Sequence, residues 1–285
     1  MRPFFLGGDN MEKTYRFYGW ETADVSPANP SFKAVRDPRE LYDMLSEIWC
    51  KYTCAPRLRE GWSREDITRG QCSITAFLVQ DIFGGQVFGV PREGGNFHCY
   101  NVVGGCVFDL TSEQFGDEKL CYEGNPEQSR QVHFAKEEKR RRYEYLRAEL
   151  RRKLGLAKLV TEIDVICKEA AFVKGQLRDI CMVPFEGNAH GGMFSGKVIG
   201  TGVDTQSFSK NGCCELSARY MLEGQDSSGN PCRVFVQNES LPDGSLCPEI
   251  VTDSPLLAEL ESAQLFSVVI PAENSVTVRI YVYGE

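Results

Sequence analysis

The chain has 285 residues, 42% of them hydrophobic and 25% charged. These are the proportions of a folded globular protein and exclude collagen, wholesale disorder and low-complexity scaffolds. Net charge is −8, and its distribution is uneven: residues 1–155 hold 23 basic and 23 acidic residues, whereas residues 156–285 hold 9 and 17. An acidic second half argues against binding nucleic acid through phosphate neutralisation, and the shift marks a boundary near residue 155. The longest apolar runs, such as Val268-Val269-Ile270, fall far short of the roughly 20 residues of a membrane helix, so no membrane partner is expected. The first residues lack the apolar stretch of a secretory signal. With twelve cysteines and no sign of an oxidising compartment, reduced thiols and a cytoplasmic location are expected.

In chain order, residues 1–37 form an irregular lead. Asp37-Pro38 then caps and opens a helix, with Leu41, Leu45, Ile48 and Trp49 at helical spacing. A Pro/Gly-bearing loop runs from Cys54 to Gly70. A second helix is predicted over Cys72–Phe83, stopped by Gly84-Gly85. The period then changes to two: Gln86–Pro91, Asn96–Val103 and Cys106–Leu110 read as strands, the last two joined by a Gly104-Gly105 hairpin turn. Residues 134–154 read as one long charged helix with Tyr143, Leu146, Leu150 and Leu154 as its apolar stripe. Its nine basic residues interleave with four glutamates, which fits a solvated face closing the first domain better than a nucleic-acid surface. After Gly155 the strand-like stretches are Leu159–Cys167, Met193–Ile199, Cys214–Leu222, Arg233–Asn238, Leu265–Ile270 and Val276–Val282. Many short strands with regular turns predict a sandwich or barrel.

One constellation could carry chemistry. Cys72 starts a helix, where unpaired N–H groups and the helix dipole favour a thiolate. With Gly104 and Gly105 as turn residues, Val103 pairs with Cys106, and His98 and Asp109 become diagonal neighbours on one face. A carboxylate orienting an imidazole beside a thiol is the arrangement of nucleophilic cysteine catalysis. The competing reading makes Cys72 an inert core thiol, His98 a half-exposed strand residue and Asp109 a cap. Gln71 is a secondary candidate as an oxyanion donor; Trp62 and Asn101 rank with it, Asn101 pointing away from His98 by strand alternation. Cys54 is a candidate resolving thiol in a redox reading. Cys50/Cys54 and Cys213-Cys214 lack matching ligand pairs, so no metal and no cofactor are expected.

The stretches Trp49-Cys50, Thr53-Cys54-Ala55-Pro56, Gly70-Gln71-Cys72-Ser73-Ile74-Thr75-Ala76, His98-Cys99-Tyr100-Asn101 and Asp109 to Phe115 together resemble the YunG-like family. That family is similar to transglutaminase/papain-like cysteine folds. The resemblance implies Cys72 as nucleophile, His98 as base and Asp109 as orienter over residues 38–155. Residues 156–285 resemble uncharacterised protein family 0311 (domain of unknown function 3237), through Gly191–Gly196, Gly202-Val203-Asp204, Glu215–Tyr220, Val234–Asn238 and Val278–Tyr281. Members are small calycin-like β-barrels; a tryptophan expected after Asp204 is replaced by Thr205.

The expected architecture is therefore α+β: a transglutaminase/papain-like domain followed by a small antiparallel calycin-like barrel. The barrel is expected to enclose one small ligand, with Asp204, Arg219 and Asn238 as candidate pocket residues. The favoured function is amide or ester hydrolysis, or acyl transfer, on a small-molecule or peptide substrate by Cys72, His98 and Asp109. The alternative is a non-catalytic binding protein in which the barrel binds and the first domain is silent. Substrate and oligomeric state are not fixed by the sequence.

Overall fold

A computed structural model describes residues 14–210, 212, 214–273 and 275–284. Cys213, half of the adjacent cysteine pair, and residues 1–13 of the lead lie outside them. The chain divides between His133 and Phe134 into two compact units.

The first unit contains helices α1 (Pro38–Ile48) and α2 (Cys72–Phe83), and strands β1 (Gln86–Arg92), β2 (Asn96–Val103) and β3 (Cys106–Phe108). Asp37 caps α1 as its sequence predicts: one carboxylate oxygen accepts from the N–H groups of Arg39 at 2.9 Å and Glu40 at 3.0 Å. Helix α2 is apolar nearly all round, and its residues from Ser73 to Val79 are buried. Trp49, fully buried, ties the end of α1 to α2 by donating from Nε1 to Thr75 Oγ1 at 3.1 Å. The strands form an antiparallel sheet in the order β1-β2-β3. Gly104 and Gly105 both take positive φ, and the register they set pairs Val103 with Cys106 and Asn101 with Phe108. Strand β3 ends two residues earlier than its sequence suggests. Asp109 leaves the hairpin to pair with Tyr18 instead, donating its N–H to the Tyr18 carbonyl at 3.0 Å.

A short helix, α3 (Arg130–Phe134), spans the division between the units. The second unit opens with α4 (Glu137–Lys153), so the long helix expected over 134–154 is interrupted at Ala135-Lys136. Strands β4 (Ala157–Cys167), β5 (Ala171–Lys174), β6 (Arg178–His190), β7 (Phe194–Ser209), β8 (Cys214–Asp226), β9 (Pro231–Ser240), β10 (Leu246–Thr252), β11 (Leu265–Pro271) and β12 (Ser275–Tyr283) follow. The order β4-β12-β11-β10-β9-β8-β7-β6, closed by β4 pairing β6, is an eight-stranded antiparallel barrel; β5 continues past the end of β4 along the same edge of β6. Alternate residues point inward, giving a lumen packed with Ile163, Phe185, Leu222, Val236 and Ile280, to which Leu257 and Leu260 add from the β10–β11 connection.

Helix α4 packs on the barrel's outer wall, Ala148 lying with Ala157, Val268 and Tyr281. Its buried Glu149 accepts from Arg279 Nη1 at 3.1 Å and from the Tyr281 hydroxyl at 2.9 Å. Of the expected stripe, Tyr143, Leu146 and Leu150 are buried as their spacing predicts, while Leu154 caps the end of α4 and is half-buried. No helix among the described residues is long and apolar enough to cross a membrane.

Candidate functional site

Helix α2 begins at Cys72 with no side chain capping its first turn, so its leading N–H groups are free to face an anion. Cys72 is half-buried. Strand β2 carries His98, which is 2% exposed, and the bend after β3 carries Asp109, which is 1% exposed. His98 Nε2 lies 2.5 Å from Asp109 Oδ2. The diagonal relation expected from the Gly104-Gly105 register thus brings this pair into direct contact.

The carboxylate is held from all sides. Its Oδ2 also accepts from the Tyr122 hydroxyl at 2.9 Å, and its Oδ1 accepts from the Thr111 N–H at 3.0 Å and the Thr111 hydroxyl at 3.1 Å. Tyr122 is itself fixed. Its ring stacks on Tyr18 with centroids 4.0 Å apart, and its carbonyl accepts from the Tyr100 hydroxyl at 2.8 Å. Phe115 sets its ring edge-on to the imidazole at 4.5 Å, and the Arg92 guanidinium lies over Phe115.

With Nε2 committed to Asp109, Nδ1 of His98 is buried and closes no well-formed hydrogen bond. The Cys72 thiol also interacts with this ring. Burial works against a charged imidazole, but the Asp109 carboxylate and the Cys72 thiolate outweigh it and push His98 up to about 10. Hydrogen bonding from Cys99 is the largest influence on Cys72. Together with His98 it overcomes burial and holds the thiol well below its ordinary range. Both directions favour a thiolate–imidazolium pair at neutral pH.

Gln71 is fully buried. Its Nε2 donates to the Cys50 carbonyl at 3.2 Å, while its Oε1 has no hydrogen-bond partner among the described residues. Asn101 donates to the Ala76 carbonyl at 2.9 Å and so ties β2 to α2, as strand alternation requires. Trp62 Nε1 donates to the Ile67 carbonyl at 3.1 Å, and the Cys54 thiol donates to the Ala55 carbonyl at 3.5 Å; both serve the loop between α1 and α2. Cys99, Thr111, Phe115 and Tyr122 complete the site. Of these, Thr111 was findable from its place two residues after a carboxylate, where an Asx-type turn closes. Tyr122 lies in a long irregular connection with no periodic signal.

In the barrel, cross-strand pairing places Asp204 beside Ala218, and Ala218 beside Asn238, in one inward-facing row. Asn238 is buried and exchanges hydrogen bonds with Ser267 Oγ at 2.8 and 3.1 Å. Asp204 accepts from Gln206 Nε2 at 2.7 Å, and burial raises its carboxyl above the usual range. Arg219, one residue out of phase, faces outward with its side chain 63% exposed. The structure therefore gathers Asp204 and Asn238 and leaves Arg219 apart from them. Among the described residues Glu162, Asp164 and His190 form one further cluster with metal-ligand atoms, on the outer wall. Its members already pair with one another and with Arg279 and Thr277.

Residues 37–155 match the family model described as YunG protein. The uncharacterized protein YunG of Bacillus subtilis (strain 168) is 38% identical over 72 residues, which cover 25% of this chain and 57% of that protein. The chain thus spans little more than half the length of that relative. Among solved structures, a protein of unknown function from Clostridium acetobutylicum ATCC 824 aligns with a TM-score of 0.39 and 20% identity, over 45% of this chain and 99% of that one. A beta-barrel like protein from Acinetobacter baumannii AYE aligns with a TM-score of 0.37 and 12% identity, over 45% and 95%. Residues 37–155 are accordingly a YunG-like region, and an eight-stranded antiparallel β-barrel follows it in the chain.

Proposed function

We propose that the first unit performs cysteine-dependent acyl chemistry, amide or ester hydrolysis or acyl transfer, on a transglutaminase/papain-like scaffold. The observation that carries this reading is the buried His98–Asp109 contact at 2.5 Å, which leaves Nδ1 of the same ring for Cys72. In the reading, Cys72 Sγ attacks a substrate carbonyl carbon as the thiolate. First-turn N–H groups of α2 face the developing oxyanion. As the tetrahedral species collapses, the bond to the leaving amine or alcohol breaks and His98 gives that group its proton. Water or an acceptor amine then attacks the thioester, His98 takes the proton, and Cys72 is released as the thiolate. Asp109 holds the ring tautomer throughout and stabilises its charge.

The lowered Cys72 and raised His98 support this assignment over an inert core thiol. The inward carboxylate of Asp204 and the Asn238–Ser267 pair supply the polar groups with which the barrel would bind a small molecule. A cytoplasmic location goes with the proposal, since a thiolate nucleophile needs to stay reduced.

The test is acyl-enzyme trapping. Incubation with p-nitrophenyl acetate followed by intact and peptide mass spectrometry should add one acetyl group, on Cys72. It should release p-nitrophenolate in a burst that Cys72→Ser abolishes. Acetylation spread over several cysteines, or unchanged in Cys72→Ser, overturns the proposal.

A further inference from the structure

Strand β5 ends the sheet: it pairs with β6 on one side, and no strand among the described residues pairs with its other edge. All four of its residues are exposed, Phe172 at 72% and Val173 at 60%. Leu177 in the following turn is 85% exposed. By register the exposed Phe208 shares the face of Phe172, and the exposed Met182 shares the face of Val173. An open edge bearing large apolar side chains and no proline is a template for a further strand.

The sequence along this edge is complementary to itself. Residues 169–174, which are β5 and the two residues that lead into it, read Glu-Ala-Ala-Phe-Val-Lys. Laid antiparallel against a second copy about an axis between Ala171 and Phe172, Glu169 stands opposite the partner's Lys174. Ala170 then meets the partner's Val173, and Ala171 meets the partner's Phe172. Twofold symmetry repeats each pair, so a small residue faces a large one throughout and both charge pairs close. A slip of two residues either way leaves Glu169 without a cation opposite it. Glu169 makes no ion pair among the described residues, so it is available for this one.

We propose that the β5 edge is a self-association surface on which two copies of this chain pair antiparallel about Ala171 and Phe172. One strand pair with its flanking apolar residues is small beside a standard interface of about 1,600 Å². The dimer is therefore weak, with a dissociation constant on the order of 10 μM.

The test is sedimentation velocity on the full chain from about 1 to 200 μM. Wild type should move from monomer to dimer over that range. Glu169→Lys places like charges opposite each other at both ends of the pairing and should weaken the dimer roughly tenfold or more. Lys174→Glu should do the same. The double variant Glu169→Lys/Lys174→Glu restores both pairs and should return to within about threefold of wild type. An equimolar mixture of the two single variants should form a mixed dimer more tightly than either associates alone. Far-UV circular dichroism on each variant separates lost pairing from lost folding. A monomer at every concentration overturns the proposal, and so does a dimer indifferent to Glu169→Lys.

Discussion

The most informative perturbation is Asp109→Asn. It keeps the shape of the side chain and removes the charge that holds His98. The amide oxygen can still accept from the Thr111 N–H and hydroxyl at the Oδ1 position. At the Oδ2 position an NH₂ now faces both the Tyr122 hydroxyl and His98 Nε2, which previously supplied protons there. The imidazole must turn Nε2 into an acceptor, which puts its remaining proton on Nδ1, on the thiol side. It then cannot take a proton from the thiol, and acyl turnover should fall about 10⁴-fold.

The magnitude for stability follows from the ring's affinity for its proton. The span from the ordinary 6.5 to about 10 corresponds to roughly 5 kcal/mol at 1.36 kcal/mol per pH unit. Cys72 supplies part of it, so Asp109→Asn should cost about 3 kcal/mol near pH 7. The sign with pH is definite. A histidine whose proton affinity is raised by folding stabilises fully below about 6.5 and loses that contribution as pH rises through about 10. The gap between wild type and Asp109→Asn in urea unfolding should therefore shrink markedly from pH 7 to pH 10. A gap of the same size at both would mean that the variant disturbs packing and that the ring carries no extra charge in the native state.

Three other outcomes are expected. Tyr122→Phe removes one of four hydrogen bonds to Asp109; it should cost about 1 kcal/mol in urea unfolding and slow Cys72 alkylation less than tenfold, far less than Asp109→Asn. Glu149→Ala leaves the buried Tyr281 hydroxyl without its acceptor and Arg279 with Glu162 alone; unfolding of the second unit should lose about 2–3 kcal/mol. Leu222→Ala truncates a fully buried side chain of the barrel core and should cost about 2–5 kcal/mol by the same measurement, without altering alkylation of Cys72.

Some of this is legible in the amino-acid sequence alone. The Asp37-Pro38 start of α1, the span of α2 and the hairpin register were each written by strong local signals: a capping carboxylate, an apolar run stopped by Gly84-Gly85, and two adjacent glycines. The register matters most, because it brings the end of β3 beside β2; the bridge to Tyr18 and the Thr111 turn then seat Asp109 against His98. The barrel was harder to read. Strand β6 contains Pro184 and Gly187, which look like breaks, yet the chain runs through them because the ladder shifts register between Phe185 and Asn188. Gly202, which also interrupts a strand pattern, is required where the Phe185 ring crosses: a Cβ there would lie 2.4 Å from it. Strand β5, only four residues and exposed throughout, has no alternation to detect. Tyr122 and Cys99 reach the site by tertiary packing, which no local pattern encodes.

The measurement that bears most directly on the central claim is site-resolved alkylation. Intact protein is treated with iodoacetamide from pH 5 to 9 and every cysteine is followed by peptide mass spectrometry, in wild type and in His98→Ala. A thiolate–imidazolium pair predicts that Cys72 reacts fastest of all cysteines near neutral pH, with a nearly flat profile up to pH 9, and that His98→Ala shifts its rise toward the ordinary thiol range. A Cys72 that is inert, or that follows the other cysteines whatever stands at position 98, contradicts the account.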